Sequence, residues 1–282
     1  MESLGIVGLG LIGSALVSRF LSLGDTPRIF DLRPDAVAAG VERGAVAAGS
    51  CRELAQHCDI VLVCVQTDEQ CMAAVSGENG VLEGIREGGC IAVLSTVKPS
   101  TINPLAELAA SRGAALVDSP LAGRGMFSVE EGTMTALVGD AGETFQRLKP
   151  VLERFSSHVL STGGLGSGAA LKLAHNVVVY AGFAALVEAE ELVLAAGVRE
   201  GLLEEVAGMS GALSELSAGY MRYYKHFRDD PHSEYEDDAL RVAAALLDKD
   251  LTDAVELAET FGLSLPVARL LSHAGAKVFP AD

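Results

Sequence analysis

Basic residues are scarce in this chain: 21 Lys and Arg stand against 38 Asp and Glu, for a formal charge of −17. That balance argues against a non-specific binder of nucleic acid or anionic membrane, because phosphate surfaces are held by clustered Lys and Arg. An anionic ligand must instead be held by a local device, such as a helix N-terminus or a single Arg. The cysteines are few, odd in number (positions 51, 58, 64, 71 and 90) and form no CxxC pair, so neither a disulfide framework nor a zinc site is expected. The longest uncharged apolar stretch, Leu173–Val187, is too short for a membrane span and carries His175 and Asn176. The opening residues MESLGIVGLGLIG lack the basic start of a signal peptide. What is present is 282 residues, 49% hydrophobic and 21% charged, enough for two domains with sizeable cores. The expectation is a soluble, cytoplasmic, two-domain protein.

In the first half, short apolar runs alternate with helical patterns. The runs are Leu4–Val7, Arg28–Phe30, Ile60–Val65, Cys90–Leu94, Ala115–Val117 and Thr135–Val138. Several are continuously apolar and β-branched, as in strands covered on both faces. Ser14–Leu23, Asp35–Arg43 and Pro104–Arg112 read as helices between them. This alternation predicts an α/β fold with a Rossmann-type doubly wound parallel sheet. The pattern changes at the glycine-rich segment 163–168, after which Ala169 to about Ala196 predicts one long, mostly buried helix. Everything beyond reads helical. The expected organisation is a dinucleotide-binding domain over 1–163 and an all-α domain over 164–282, joined by the long helix. Glu188, Glu190 and Glu191 read as a solvated edge of that helix, and the acidic stretch 229–238 as a solvated connection rather than a metal loop. The aromatics Tyr223, Tyr224 and Phe227, with His226, read as a packing or interface cluster.

Gly8-Leu9-Gly10-Leu11-Ile12-Gly13 is a GxGxxG in the context that gives it meaning. It follows an apolar strand, opens a helix near Leu11, and is followed 18 residues after Gly13 by Asp31 at the end of a second strand. Gly8 permits the tight turn, Gly10 lets backbone approach a pyrophosphate, and Gly13 lets helix pack on strand. The helix N-terminus supplies N–H groups and a positive dipole end. Asp31 would accept from ribose hydroxyls and repel a 2′-phosphate, which predicts NAD. Arg33, two residues on, either stacks on adenine, tolerates a 2′-phosphate, or is a plain exposed loop residue, so NADP stays open. Lys172, His175 and Asn176 fall at i, i+3 and i+4 near the start of the long helix. A lysine there sits at the end of the macrodipole that disfavours cations, which together with burial would draw its pKa towards a useful acid/base range.

With these residues in place, the chain resembles the β-hydroxyacid dehydrogenases, the group that includes 3-hydroxyisobutyrate dehydrogenase. The resemblance spans nearly the whole chain. It rests on Gly8–Gly13, Ser95-Thr96-Val97-Lys98-Pro99, the segment from Asp118-Ser119-Pro120-Leu121-Ala122-Gly123 to Glu131-Gly132-Thr133, Gly166-Ser167-Gly168 with Lys172 and Asn176, and Lys249-Asp250-Leu251. It implies Lys172 as general acid/base, with Asn176 fixing substrate and lysine. Ser95 and Thr96 would border the nicotinamide, and Lys249 would reach the cofactor. Leu11, Ile12, Val65 and Gln66 complete the expected cofactor set, and Ser95, Ala122, Gly123, Arg124, Lys172, His175 and Asn176 form the expected substrate set. The run Lys172–Asn176 with Tyr180 is also similar to 6-phosphogluconate dehydrogenase, but Val179 stands where that enzyme has an acid and its longer C-terminal domain is absent. The substrate loop departs from the family's Ser-Gly-Gly, reading Ala122-Gly123-Arg124. The implied activity is hydride transfer between NAD and the β-carbon of a small 3-hydroxy acid, with no metal. The partners expected are a small anionic or polar substrate and a second copy of the chain, as a homodimer or homotetramer through the helical domain. Two rivals remain at this point. One is an imine reductase on the same scaffold, disfavoured by Lys172. The other is a nucleotide-binding regulatory protein that has lost its chemistry, kept open by Ala122 and Arg124.

Overall fold

A computed structural model describes residues 2–229 and 234–280. The chain divides into two compact units, Met1–Lys172 and Leu173–Asp282. The division therefore falls inside the long helix rather than at residue 163, because the first turns of that helix pack into the first unit, where Ala169 is fully buried.

In the first unit, the described residues form two sheets. Strands β1 (Leu4–Val7), β2 (Arg28–Phe30), β3 (Val46–Ala47), β4 (Ile60–Val63), β5 (Cys90–Val93) and β6 (Ala115–Asp118) make one parallel sheet in the order β3-β2-β1-β4-β5-β6. This is the doubly wound order, with its switch point between β1 and β4. Helices α1 (Leu11–Ser22), α2 (Pro34–Glu42), α3 (Cys51–Gln56), α4 (Asp68–Ser76), α5 (Val81–Gly84) and α6 (Pro99–Ala110) connect the strands. Successive strand residues bury on opposite faces, which is why β4 is apolar throughout: Ile60 and Leu62 enter one core, Val61 and Val63 the other. The run Thr135–Val138 is not part of this sheet. It belongs to β8 (Met134–Val138) of a separate mixed sheet with β7 (Leu121–Ala122) and β9 (Ser156–Ser161), accompanied by α7 (Met126–Glu131) and α8 (Glu143–Leu152). All five cysteines are free. Cys51, Cys58, Cys71 and Cys90 are buried, and burial pushes the thiols of Cys51 and Cys58 up to about 11 and those of Cys71 and Cys90 up to about 12.

The second unit is helical: α9 (Ser167–Ala195, which begins in the first unit), α10 (Leu202–Ser210), α11 (Glu215–Asp229), α12 (Glu234–Thr260), α13 (Pro266–Leu271) and α14 (Gly275–Val278). Its core stacks Phe183 on Tyr220 at 3.9 Å and includes Tyr224, Val187, Leu247 and Leu251. Two expectations are corrected here. Helix α9 is not mostly buried, since Val178 and Leu192 are 73% and 70% exposed. Glu190 is no solvated edge but is buried, because Lys225 at 3.0 Å and Arg228 at 3.7 Å on α11 supply its countercharge. Residues 230–233 of the acidic stretch lie outside the described residues, and the connection expected there with them. Among the described residues no helix is long and apolar enough to cross a membrane.

Candidate active site

The glycines after β1 differ in why they are glycines. Gly8 adopts φ +91°, and a Cβ on it would run into the carbonyl of Cys64; a Cβ on Gly13 would run into the carbonyl of Gly8. These two are required by the fold itself. Gly10 is not: its φ of −66° and ψ of −166° suit other residues, and apart from Gly10 itself and its chain neighbours no heavy atom of the described residues lies within 4 Å of where its Cβ would be. Gly10 is also the N-cap of α1, with no side chain capping the helix. The result is an open space before the exposed N–H groups of a helix start, a cradle that a methyl group would fill and a diphosphate fits. Leu11 is exposed at the entrance and Ile12 half-buried.

Asp31 holds this loop in place. Its Oδ2 accepts from the Leu9 N–H at 2.6 Å, and its Oδ1 accepts from the Arg33 N–H at 2.8 Å and from Arg33 Nε at 3.3 Å. Arg33 reaches on to donate to the Leu9 carbonyl at 3.0 Å, so it is folded over the glycine loop rather than loose before Pro34. After β4, the Val65 N–H donates to the buried Ser95 Oγ at 2.8 Å, and the Gln66 N–H donates to Gln70 Oε1 at 2.9 Å. Thr96 beside Ser95 is half-buried. The structure thus brings Gly8–Gly13 together with Asp31 and Arg33, and Val65 together with Ser95.

The loop after β6 carries Ala122, Gly123 and Arg124. Gly123 is tightly packed: a Cβ there would press on Met134 Sδ and Ser128. The Arg124 N–H donates to Ser128 Oγ at 2.9 Å, while its guanidinium pairs with Glu131 at 2.5 Å in a half-exposed ion pair. Arg124 is therefore already engaged by a carboxylate, that of the last residue of α7. The buried Asp118, which ends β6, accepts from the N–H of Gly166 at 2.8 Å and of Ala169 at 2.7 Å at the start of α9.

On α9, Lys172 is half-buried and Asn176, one turn on, is buried on the same face. Asn176 Nδ2 donates to Asp250 Oδ2 at 2.6 Å, and His175 Nδ1 lies 3.3 Å from Asn176 Oδ1. Tyr180 donates to the same Asp250 oxygen at 3.4 Å; burial first and then Asp250 push its phenol above its ordinary range. Lys249 lies between Asp250 at 3.0 Å and Asp253 at 2.9 Å. Burial opposes its charge, but the two carboxylates outweigh burial and raise it above the ordinary lysine value. The second unit thus gathers His175, Asn176 and Lys249 around Asp250. Asp118 and Asp250 fall within the sequence motifs without an expected role; the signal available in the sequence is an acid ending an apolar strand and an acid amid the apolar spacing of α12.

Known proteins resemble this chain in sequence and in fold. The family model described as the NAD binding domain of 6-phosphogluconate dehydrogenase matches residues 3–164. An uncharacterized oxidoreductase of Mycobacterium tuberculosis is 32% identical over 271 residues, covering 95% of this chain and 90% of the relative. The 2-(hydroxymethyl)glutarate dehydrogenase of Eubacterium barkeri is 29% identical over 270 residues, covering 96% and 87%. The crystal structure of 3-hydroxyisobutyrate dehydrogenase from Salmonella typhimurium superposes with a TM-score of 0.84 at 26% identity, covering 98% of this chain and 94% of that one.

Proposed function

The chain belongs to the β-hydroxyacid dehydrogenase family and is an NAD-binding oxidoreductase, and we propose that it moves hydride between a nicotinamide dinucleotide and the β-carbon of a small 3-hydroxy acid or the matching semialdehyde. The observation that carries the cofactor half of this reading is Gly10, a glycine the protein does not need for its own packing. When bound, the dinucleotide supplies a two-electron hydride acceptor or donor. The cradle Gly8–Gly13 would hold its diphosphate, Asp31 its ribose, and Ser95, Thr96, Val65 and Gln66 would border its reactive end. Lys172 takes the substrate hydroxyl proton during oxidation and returns it during reduction, so that no alkoxide builds up. Asn176, held by Asp250, orients the substrate hydroxyl. The backbone N–H of Gly123 receives the substrate carboxylate, the Ala122 N–H being taken up by the β7–β8 ladder, and Arg124 adds charge once it leaves Glu131. NAD is preferred over NADP because the Asp31 carboxylate would face any 2′-phosphate, an opposition of about 1–3 kcal/mol, or roughly tenfold or more in affinity. Val178 and Leu192, with Met209 at 80% exposure, support self-association through the helical unit as a homodimer or homotetramer, which sedimentation would read.

The test is a panel of 3-hydroxy acids, semialdehydes and cyclic imines with both cofactors, followed at the nicotinamide absorbance, on the native chain and on Lys172→Ala. Hydroxy-acid turnover with NAD is expected. The substitution should lower kcat by about 10²–10⁴ while NADH binding persists. Near-normal turnover in Lys172→Ala, or turnover of imines alone, would overturn this reading.

A further inference from the structure

The start of α9 cannot cap itself. Gly166, the residue before the helix, is at φ +83° and has no side chain to offer. The acceptor comes instead from 48 residues earlier in the chain: Asp118, only 1% exposed, accepts from the Gly166 N–H through Oδ1 and from the Ala169 N–H through Oδ2. Among the described residues no Lys or Arg pairs with this carboxylate, so its countercharge is the positive end of the helix itself. Two more glycines make room for the arrangement. A Cβ on Gly139 would fall on Asp118 Oδ1, and a Cβ on Gly168 would meet the Leu137 carbonyl and, at 2.9 Å, Asp118 Oδ2. Gly139, Gly166 and Gly168 are thus all tied to one buried carboxylate, and Lys172 is the residue three positions beyond the N–H that Oδ2 holds.

We propose that Asp118 is a positioning residue for Lys172: by clamping both ends of the first turn of α9 to the end of β6, it fixes the rotation and axial setting from which the lysine side chain departs. The proposal rests on the reading of Lys172 as the proton-transfer group. Two N–H groups held by one carboxylate define the direction of the turn, whereas a single bond would leave it free to pivot. A misplacement of about 1 Å at the reacting group can cost on the order of 10²-fold.

The experiment is a double-mutant cycle with Asp118→Asn and Lys172→Ala. The asparagine keeps the volume but its Nδ2 cannot accept, so one of the two clamps is lost. Asp118→Asn should lower kcat by roughly 10–100-fold while its KM for the hydroxy acid changes less and its affinity for NADH stays within about twofold. In the Lys172→Ala background the same substitution should have almost no further effect on kcat, because the two residues act as a unit. If Asp118→Asn is poorly folded, Asp118→Ser, which keeps one acceptor, is measured in the same cycle with the same expectation. Unchanged kcat in Asp118→Asn, or an equal loss in both backgrounds, overturns the proposal. Retained turnover in Lys172→Ala alone overturns instead the reading it rests on.

Discussion

Replacing Gly10 by Ala separates a glycine kept for the fold from one kept for a ligand. The added methyl group would enter space in which no described heavy atom beyond its chain neighbours lies within 4 Å, on a backbone whose φ of −66° an alanine accepts. The folded state should therefore tolerate it. The unfolded chain loses freedom, which favours folding by about 0.4–1 kcal/mol and should leave the melting temperature unchanged or raised by about 1–4 °C. The ligand meets the opposite situation. A diphosphate seated before the N-terminus of α1 would be pushed back from the N–H groups it needs, and losing even one charge-assisted hydrogen bond costs about 1.5–3 kcal/mol. The dissociation constant for NADH should rise about 10–150-fold. Gly13→Ala is the control of opposite character: its Cβ would sit against the Gly8 carbonyl well inside 3.0 Å, so stability and binding should fall together. Thermal melts and calorimetric titration with NADH on the three proteins decide the matter. Gly10→Ala binding NADH within about twofold of the native chain would refute the reasoning, and so would a collapse of its melting temperature.

Two further perturbations test the substrate loop and the anchoring of the first unit. The Arg124–Glu131 pair is about half exposed on both sides, so breaking it costs at most about 1 kcal/mol; Glu131→Gln should lower KM for an acid substrate by up to about fivefold and Arg124→Ala should raise it, with neither moving KM for the matching amide, and equal effects on acid and amide would make the pair a bystander to substrate charge. Asp59 is held below the ordinary carboxylate range by the Ser3 N–H first, then by the Ser3 hydroxyl and Arg86, so its contribution is fully present above that range and is lost as pH falls through the lowered value. Asp59→Asn should thus melt lower than the native chain near pH 7, with the gap closing below about pH 4; a gap that persists or widens in acid would contradict the assignment.

What could be read in the sequence was what is local. The β1–Gly8–Gly13–α1 unit declares itself because strand, turn and helix are contiguous, and the apolar runs of β4 and β5 declare themselves because both faces are covered. The second sheet did not, for physical reasons: β7 has two residues, and β9, Ser156–Ser161, is mostly exposed and polar with no alternation. Helix α6 begins at Pro99 rather than Pro104, since a proline in the first turn is a start signal and the later one is absorbed inside the helix. The buried carboxylates were the least visible. Asp118 finds its partners 48 and 51 residues away, Asp250 finds Asn176 across 74, and Glu190 is neutralised from another helix. No short-range pattern encodes such pairs. The engagement of Arg124 by Glu131 spans only seven residues, from a loop to the last residue of α7, yet a single exposed pair leaves no periodic trace either.

The cysteines offer an unintended gauge. All five lie between positions 51 and 90, within the first unit, and Leu173–Asp282 contains none. Four are buried, with thiols pushed to about 11 or 12, so at neutral pH they are both sheltered from an alkylating reagent and almost wholly without thiolate. Their labelling must wait for the nucleotide-binding half to open, while fluctuations confined to the helical half pass unrecorded. A thiol-labelling time course therefore clocks the opening of one half of the molecule in the presence of the other, and its slowing on addition of NADH would measure how far a ligand of the glycine cradle locks that half shut.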